Sequence, residues 1–239
     1  MNPLRYLQVN WQHILIVVIL AAIVCGGMLG CRFWGSPKEE IKVPEARTPG
    51  KLTKDETADW KTYMNEKCGY EVKYPENTIA VSEEGERLVM THSILLEHPD
   101  PCDFRGGAPP LQTLTDFEVN IEVSGRNLSE TVTANESDYL VSNFLLDNRL
   151  RIEPGFIDEV NIGSLQGYRV TKGVEGCGEY TYYFPLTPKN TLFVKRSFIT
   201  ELKPIIPGYE EYLRLPGVIS PDEEERLFNQ ILSTFRFLE

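Results

Sequence analysis

The feature that most limits how this chain can fold is an apolar stretch near its start. Ile14 to Cys31 are eighteen consecutive residues without a charged side chain. A segment of this kind is removed as a signal peptide, crosses a membrane as an uncleaved helix, or is buried as a core helix. In the first two cases, the folded domain consists only of residues that follow the stretch.

The end of the stretch favours the signal-peptide interpretation. Its apolar core, Ile14–Val24, has the length of a signal-peptide core and leads into a Gly-rich exit. The exit ends in Met-Leu-Gly-Cys, which resembles the bacterial lipoprotein signal, in which the cysteine receives the lipid. We therefore predict that residues 1–31 form a lipoprotein leader with Cys31 as the lipid-attachment site. An uncleaved transmembrane helix is the alternative.

Residues 32–58 are predicted to be a flexible linker, because Pro37, Pro44 and Pro49 lie among charged residues without apolar periodicity. We expect this linker to hold the domain, residues 59–239, on the extracytoplasmic side of the cell membrane. The membrane is then one partner of the protein, reached through the lipid or through the N-terminal anchor.

The composition of the chain argues for a packed domain and against nucleic acid as a partner. Hydrophobic residues make up 41% of the chain and aromatic residues 10%, which is enough for a sizeable core. The formal net charge is −11, so a phosphate backbone would be repelled. A protein on the cell surface is the better candidate partner.

Alternation of apolar and polar residues runs through the domain and predicts a β-sheet. In the first example, Tyr70, Val72 and Tyr74 alternate with charged residues. The predicted strands are Gly69–Pro75, Arg87–Leu96, Phe117–Val123, Ile157–Ile162, Gly167–Thr171, Glu179–Phe184 and Leu192–Phe198. Turns such as Pro185–Asn190 separate several of them and favour antiparallel pairing.

A first helix is predicted over Asn127–Leu146. Asn127 is its N-cap, Glu130 takes the capping-box position, and an interruption is expected near Asn135.

A second helix begins at Ser220 as the N-cap, with Pro221 in the first turn. Asp222–Glu224 complement the helix dipole and are expected to face water together with Arg226. The apolar stripe that should cover a sheet face consists of Leu227, Phe228, Ile231, Leu232 and Phe235.

The two ends of the domain carry a family resemblance. The residues concerned are Trp60 to Tyr63, Asn65, Gly69-Tyr70, Val72, Tyr74-Pro75 and Phe228 to Phe235. In these positions the chain resembles uncharacterised bacterial lipoproteins with a PsbP-like domain, over about Trp60 to Glu239. The resemblance implies an α+β fold, an antiparallel sheet packed between helices as an α/β/α sandwich, here preceded by a hydrophobic helix and a linker. The photosystem relatives of such domains are extrinsic assembly subunits, so we expect this domain to bind or assemble a partner without catalysis.

Three cysteines follow the leader: Cys68, Cys102 and Cys177. An extracytoplasmic compartment permits one disulfide among them. Cys102 and Cys177 both lie in Pro- or Gly-rich turns, where a bridge would fix irregular backbone, so we predict this pair. Unpaired buried cysteines are the alternative.

The loop around Cys102 is the one plausible place for site chemistry. His98, Asp100, Cys102 and Asp103 are metal-capable, which keeps an extracytoplasmic enzyme or metal-handling protein that uses the His98-Cys102-Asp103 loop as the alternative function. Their spacing matches no metal motif, and a rigid turn with aspartates capping backbone amides explains them without a metal. We predict no metal ligand and no cofactor.

Catalysis has little support elsewhere. His92 and His98 are the domain's only histidines, and the nucleophile elbow, phosphate loop and His-Glu-x-x-His signatures are absent from the sequence. No catalytic residue is predicted. Two other features favour either packing or binding: the aromatic run Tyr180–Phe184 and the long connection Lys203–Pro216.

Overall fold

The computed structural model describes residues 57–100, 102–174, 177–197 and 209–238. They belong to a compact unit of residues 52–239, the other unit of the chain being residues 1–51. The predicted leader with Cys31, and the predicted linker up to residue 56, lie outside the described residues. Within the described ranges, no helix has the length and apolar character needed to span a bilayer.

The domain is built mostly from β-strands. In chain order the strands are β1 (Lys61–Asn65), β2 (Tyr70–Tyr74), β3 (Ala80–Glu84), β4 (Arg87–His98), β5 (Leu111–Ser124), β6 (Leu145–Leu146), β7 (Arg149–Leu150), β8 (Ile157–Ile162), β9 (Leu165–Val174), β10 (Cys177–Thr187), β11 (Asn190–Ser197) and β12 (Arg236–Phe237). The helices are α1 (Leu128–Asn135), α2 (Asp138–Phe144), α3 (Tyr209–Tyr212) and α4 (Pro221–Ser233).

Seven strands form one antiparallel sheet in the order β3-β4-β5-β11-β10-β9-β8. A second sheet has the order β1-β2-β12, and β6 pairs with β7 in a short hairpin. Every predicted strand is present, and the predicted α+β class with an antiparallel sheet is confirmed. The edge strand β3 was missed because four of its five side chains are exposed, which leaves no alternation to detect.

Alternation along the central strands divides the core between the two faces of the large sheet. Tyr182 and Phe184 of β10 lie in one cluster, with Phe228 of α4. Tyr183, between them, lies in the other cluster, with Leu128 of α1. The helices α1 and α4 therefore cover opposite faces, because successive side chains of a strand point in opposite directions.

The predicted caps explain where the helices begin. Asn127 and Glu130 form the predicted capping box at the start of α1, and the expected interruption separates α1 from α2, which Ser137 caps. Ser220 caps α4, with Pro221 in the first turn, as predicted.

The predicted turn Pro185–Asn190 is shorter in the structure. Strand β10 continues through an irregularity to Thr187, whose hydroxyl accepts hydrogen bonds from the amides of Lys189 and Asn190 at 3.2 and 3.0 Å. This side-chain bonding closes a tight turn that composition alone does not distinguish from a longer one.

Candidate functional site

The predicted disulfide links a loop and a hairpin at one end of the large sheet, which we call the closed end. Cys102, in the loop after β4, is bonded to Cys177 at the start of β10, and their Cα atoms are 5.7 Å apart. This separation is ordinary for a disulfide. The bridge ties the β4–β5 loop to the β9–β10 hairpin across 75 residues of sequence. The predicted pairing is confirmed, and Cys68 is the free cysteine of the described residues.

The other metal-capable groups of this loop are engaged with the backbone. Nδ1 and Nε2 of the buried His98 ring lie 2.8 and 3.1 Å from the carbonyl oxygens of Pro99 and Thr113. Asp103 accepts from the amide of Ala108 at 2.7 Å. Among the described residues, no three His, Cys, Asp or Glu side chains are grouped as metal ligands. The candidate set His98, Asp100, Cys102 and Asp103 thus has its sulfur in a disulfide and its other donors in contacts with the backbone.

Large apolar side chains are exposed at this closed end. The exposed fractions of Leu95, Phe104 and Leu111 are 90%, 55% and 40%. Leu95 of β4 lies opposite Thr113 of β5. Leu111 lies two positions before Thr113 on β5, and alternate residues of a strand share a face, so Leu95 and Leu111 lie on the same face of the sheet. We call Leu95, Phe104 and Leu111 the disulfide-end patch. Exposed apolar surface that is contiguous often marks a protein interface, and the disulfide-end patch is the candidate for such a surface in this domain.

A charged pair lies buried beneath α4. The Arg196 Nε atom of β11 donates to Oε1 of Glu224 at 2.7 Å, and its Nη2 donates to Oε2. Their side chains are only 8% and 2% exposed. Burial disfavours the charge on Arg196, but the hydrogen bonds to Glu224 raise the pKa of this guanidinium above its usual value. Glu224 was expected to face water, and that prediction is wrong.

The pair belongs to a larger polar and aromatic row across the sheet. The Tyr180 ring centroid lies 5.0 and 5.7 Å from the guanidinium carbons of Arg169 and Arg196. Arg169 in turn donates to Asp158 of β8 at 2.9 Å. The two arginines are thus paired with two carboxylates. Together with Tyr180, these residues connect strands β8 to β11 with helix α4.

His92 has a structural environment. Its Nδ1 lies 2.5 Å from Oδ1 of Asp116, which is 2% exposed, and Oδ2 of Asp116 accepts from the amide of Ile219 at 2.7 Å. A histidine oriented by a carboxylate is one half of a catalytic arrangement. Here the carboxylate of Asp116 also binds the backbone amide immediately before Ser220. These contacts give the pair a structural role, which is to fix the start of α4.

A third buried carboxylate, Glu136, lies on the face of the large sheet opposite to Glu224. The hydroxyl of Tyr183 donates to Oε1 of Glu136 at 2.5 Å, and Lys172 Nζ lies 2.9 Å from the same oxygen. The side chain of Glu136 is 2% exposed. Burial, and then the charge of Glu136, raises the pKa of Tyr183. The aromatic run Tyr180–Phe184 is therefore mainly core, since Tyr182, Tyr183 and Phe184 are at most 3% exposed.

A groove of about 360 Å³ runs between α4 and the β1–β2 region. We call it the α4 groove. Its described lining includes Trp60, Pro75, Thr78, Glu223, Arg226 and Gln230. This volume lies within the range of small-molecule sites.

Most of these buried polar residues were not predicted from the sequence, although the sequence pattern indicates burial for Arg196 and Glu224. Arg196 continues the inward alternation of Leu192 and Val194, which placed a charge on a buried face. Glu224 lies three and four positions before Leu227 and Phe228, on the apolar stripe of α4. An inward charge on a strand and another on a helix stripe together indicate a buried ion pair.

The domain is thus an α+β protein in which helices cover both faces of an antiparallel sheet. No protein-family model matches the chain, and no curated protein matches it. Among solved structures that match, a crystal structure from Bacteroides thetaiotaomicron VPI-5482 at 1.50 Å resolution covers 75% of this chain and 48% of its own, with 9% identity and a TM-score of 0.39. The chain therefore spans about half the length of that protein.

Proposed function

We propose that this protein is a membrane-anchored extracytoplasmic domain of the PsbP-like type that binds or assembles a partner without catalysis. The observation that carries the proposal is the Cys102–Cys177 disulfide, because structural disulfides persist outside the reducing cytoplasm. A lipid on Cys31, or an uncleaved helix over Ile14–Cys31, would hold the domain at the membrane.

The disulfide-end patch is the proposed binding surface. Leu95 presents nearly its whole side chain to solvent, on a hairpin whose loop is tied down by the bridge. A surface that is rigid before binding loses less conformational entropy when a partner docks. We propose a membrane-associated protein as the partner, since the anchored domain meets such proteins at high local concentration.

The engagement of the polar groups supports a role without catalysis. Glu224 is paired with Arg196, and Asp116 is shared between His92 and the Ile219 amide. A general acid or base needs access to substrate. Carboxylates that are nearly fully buried and already satisfied are better explained as structural contacts.

The anchoring is tested by mass spectrometry of the mature N-terminus in a bacterial host. Wild type is compared with Cys31→Ala and with Cys25→Ala, a matched control in the same apolar stretch. We expect a lipid-modified N-terminal cysteine in wild type and in Cys25→Ala, and its loss in Cys31→Ala. An intact Met1 in all three proteins would contradict lipidation and would mean that Ile14–Cys31 is an uncleaved membrane-spanning helix.

The side of the membrane is tested by trapping thiols in intact cells with acid and then alkylating them. We expect Cys102 and Cys177 to be protected until reductant is added, and Cys68 to be alkylated directly. Alkylation of all three without reductant would contradict the extracytoplasmic placement.

The binding surface is tested by cross-linking in native membranes. Leu95→Lys places a charge in the disulfide-end patch, whereas Leu146→Lys places the same charge at a 57% exposed leucine of the β6–β7 hairpin. We expect a specific cross-linked species that disappears in the first variant and persists in the second. Identical cross-linking in both variants would exclude the patch as the interface.

A further inference from the structure

We propose that the α4 groove is a binding site for a neutral, hydroxyl-rich ligand, a saccharide of one or two units. None of the residues of the disulfide-end patch lines this groove, so the inference goes beyond the proposed partner binding and does not depend on it.

The groove is formed by two supported walls. Trp60 on one side is half-buried and packs against the main core cluster. On the other side, Leu227 and Gln230 of α4 are 5% and 2% exposed, so the helix wall is held by the core beneath it. Walls fixed in this way need little rearrangement when a ligand enters.

Polar groups in the groove remain accessible to a ligand. Arg226 and Glu223 form an open ion pair at 3.7 Å, with side chains 58% and 55% exposed. Nη1 of Arg226 also donates to Oε1 of Gln230 at 2.9 Å, which orients the guanidinium plane. The exposed Thr78 adds a hydroxyl from the opposite wall. Together these groups offer both donors and acceptors within a small space.

The chemistry of the lining selects the class of ligand. Glu223 and Arg226 carry opposite charges that largely cancel, so the electrostatic potential in the groove favours neither an anion nor a cation. An acyl chain would cover these groups without satisfying their hydrogen bonds, which is unfavourable. A pyranose ring combines an apolar C–H face, which suits an indole ring such as that of Trp60, with hydroxyls that suit carboxylate and guanidinium groups. The groove volume of about 360 Å³ accommodates one or two such rings.

The test uses the full chain in a detergent without a sugar headgroup, with saturation-transfer NMR to cellobiose, maltose and N,N′-diacetylchitobiose. The variant Arg226→Ala removes an exposed groove donor, and Arg149→Ala removes an exposed arginine of β7 outside the groove. Thermal unfolding by circular dichroism verifies that both variants fold. Hexanoate and Ala-Pro-Ala serve as acyl and peptide probes.

We expect at least one saccharide to bind and its affinity to fall about tenfold or more in Arg226→Ala, because a charge-assisted hydrogen bond is lost. The affinity in Arg149→Ala should equal that of wild type. Absence of saturation transfer from all three saccharides at about 10 mM would overturn the proposal. Equal affinity in wild type and Arg226→Ala would also overturn it, as would binding of only the peptide or hexanoate in an Arg226-dependent manner.

Discussion

Removing the disulfide should lower the stability of the domain by an amount that follows from its span. Replacing Cys102 and Cys177 by serine releases a constraint across 75 residues of the unfolded chain. In the chain-entropy model, a loop of that length contributes about 4.5 kcal/mol at 25 °C. For a domain of this size the loss corresponds to a fall in Tm of about 9–18 °C.

The comparison is made on residues 52–239, in a Cys68→Ser background that prevents thiol exchange with the free cysteine. Chemical unfolding in urea gives the free energy of unfolding for the protein with and without the bridge. The Cys68→Ser protein with reductant should resemble the variant that also lacks Cys102 and Cys177. A loss below about 1 kcal/mol would refute the loop-closure reasoning. Two alkylated thiols in the unreduced, unfolded Cys68→Ser protein would refute the bridge itself.

Three further predictions concern buried polar groups. Glu224→Gln should lower the free energy of unfolding by about 3–5 kcal/mol, because Arg196 would stay buried without its counter-ion. Glu223→Gln, at the exposed neighbouring position, should change it by less than about 1 kcal/mol. Tyr70→Phe should leave it unchanged or raise it by about 1 kcal/mol, because the buried hydroxyl has no hydrogen-bond partner among the described residues. Finally, burial raises the pKa of Tyr183, so the unfolded chain releases this proton first. The stability linked to this phenol is fully present below pH of about 10 and is lost as the pH rises further, and Tyr183→Phe should reduce that loss.

Urea unfolding measures the first two effects, and the same titration repeated from pH 9 upward, in steps of about half a unit, measures the third. Equal losses in Glu224→Gln and Glu223→Gln would mean that the pair is solvated in solution. A Tyr70→Phe protein less stable by more than about 1 kcal/mol would mean that the hydroxyl has a partner. Parallel pH curves for wild type and Tyr183→Phe would mean that this phenol titrates normally.

Local sequence patterns predicted individual elements well. The alternation around Val72 predicted β2, and the Ser220 cap predicted the start of α4. These signals are short-range, since a cap or a half-buried strand depends on residues within one or two turns of the chain. The elements that were missed, such as β1, β3 and β12, are short or mostly exposed, so burial imposes no pattern on them.

The candidate sites depended on longer-range information. Arg196 and Glu224 meet across 28 residues, and Asp116 reaches the Ile219 amide across 103. The sequence pattern predicted which faces of the strands and helices are apolar. It did not predict which charged residues on those faces form ion pairs. The α4 groove has the same origin, because its walls come from opposite ends of the domain sequence.

By itself, the sequence determined the α+β class, most strand positions, the helix caps and the choice of Cys102 and Cys177 as partners. Only the tertiary structure decided the strand order, the burial of Glu224 and the shape of the α4 groove. The physical reason is that propensity, capping and alternation act between neighbours in the chain. Strand order and the pairing of buried charges are instead selected by the packing of the whole domain, because a buried charge is tolerated only where a partner lies within reach.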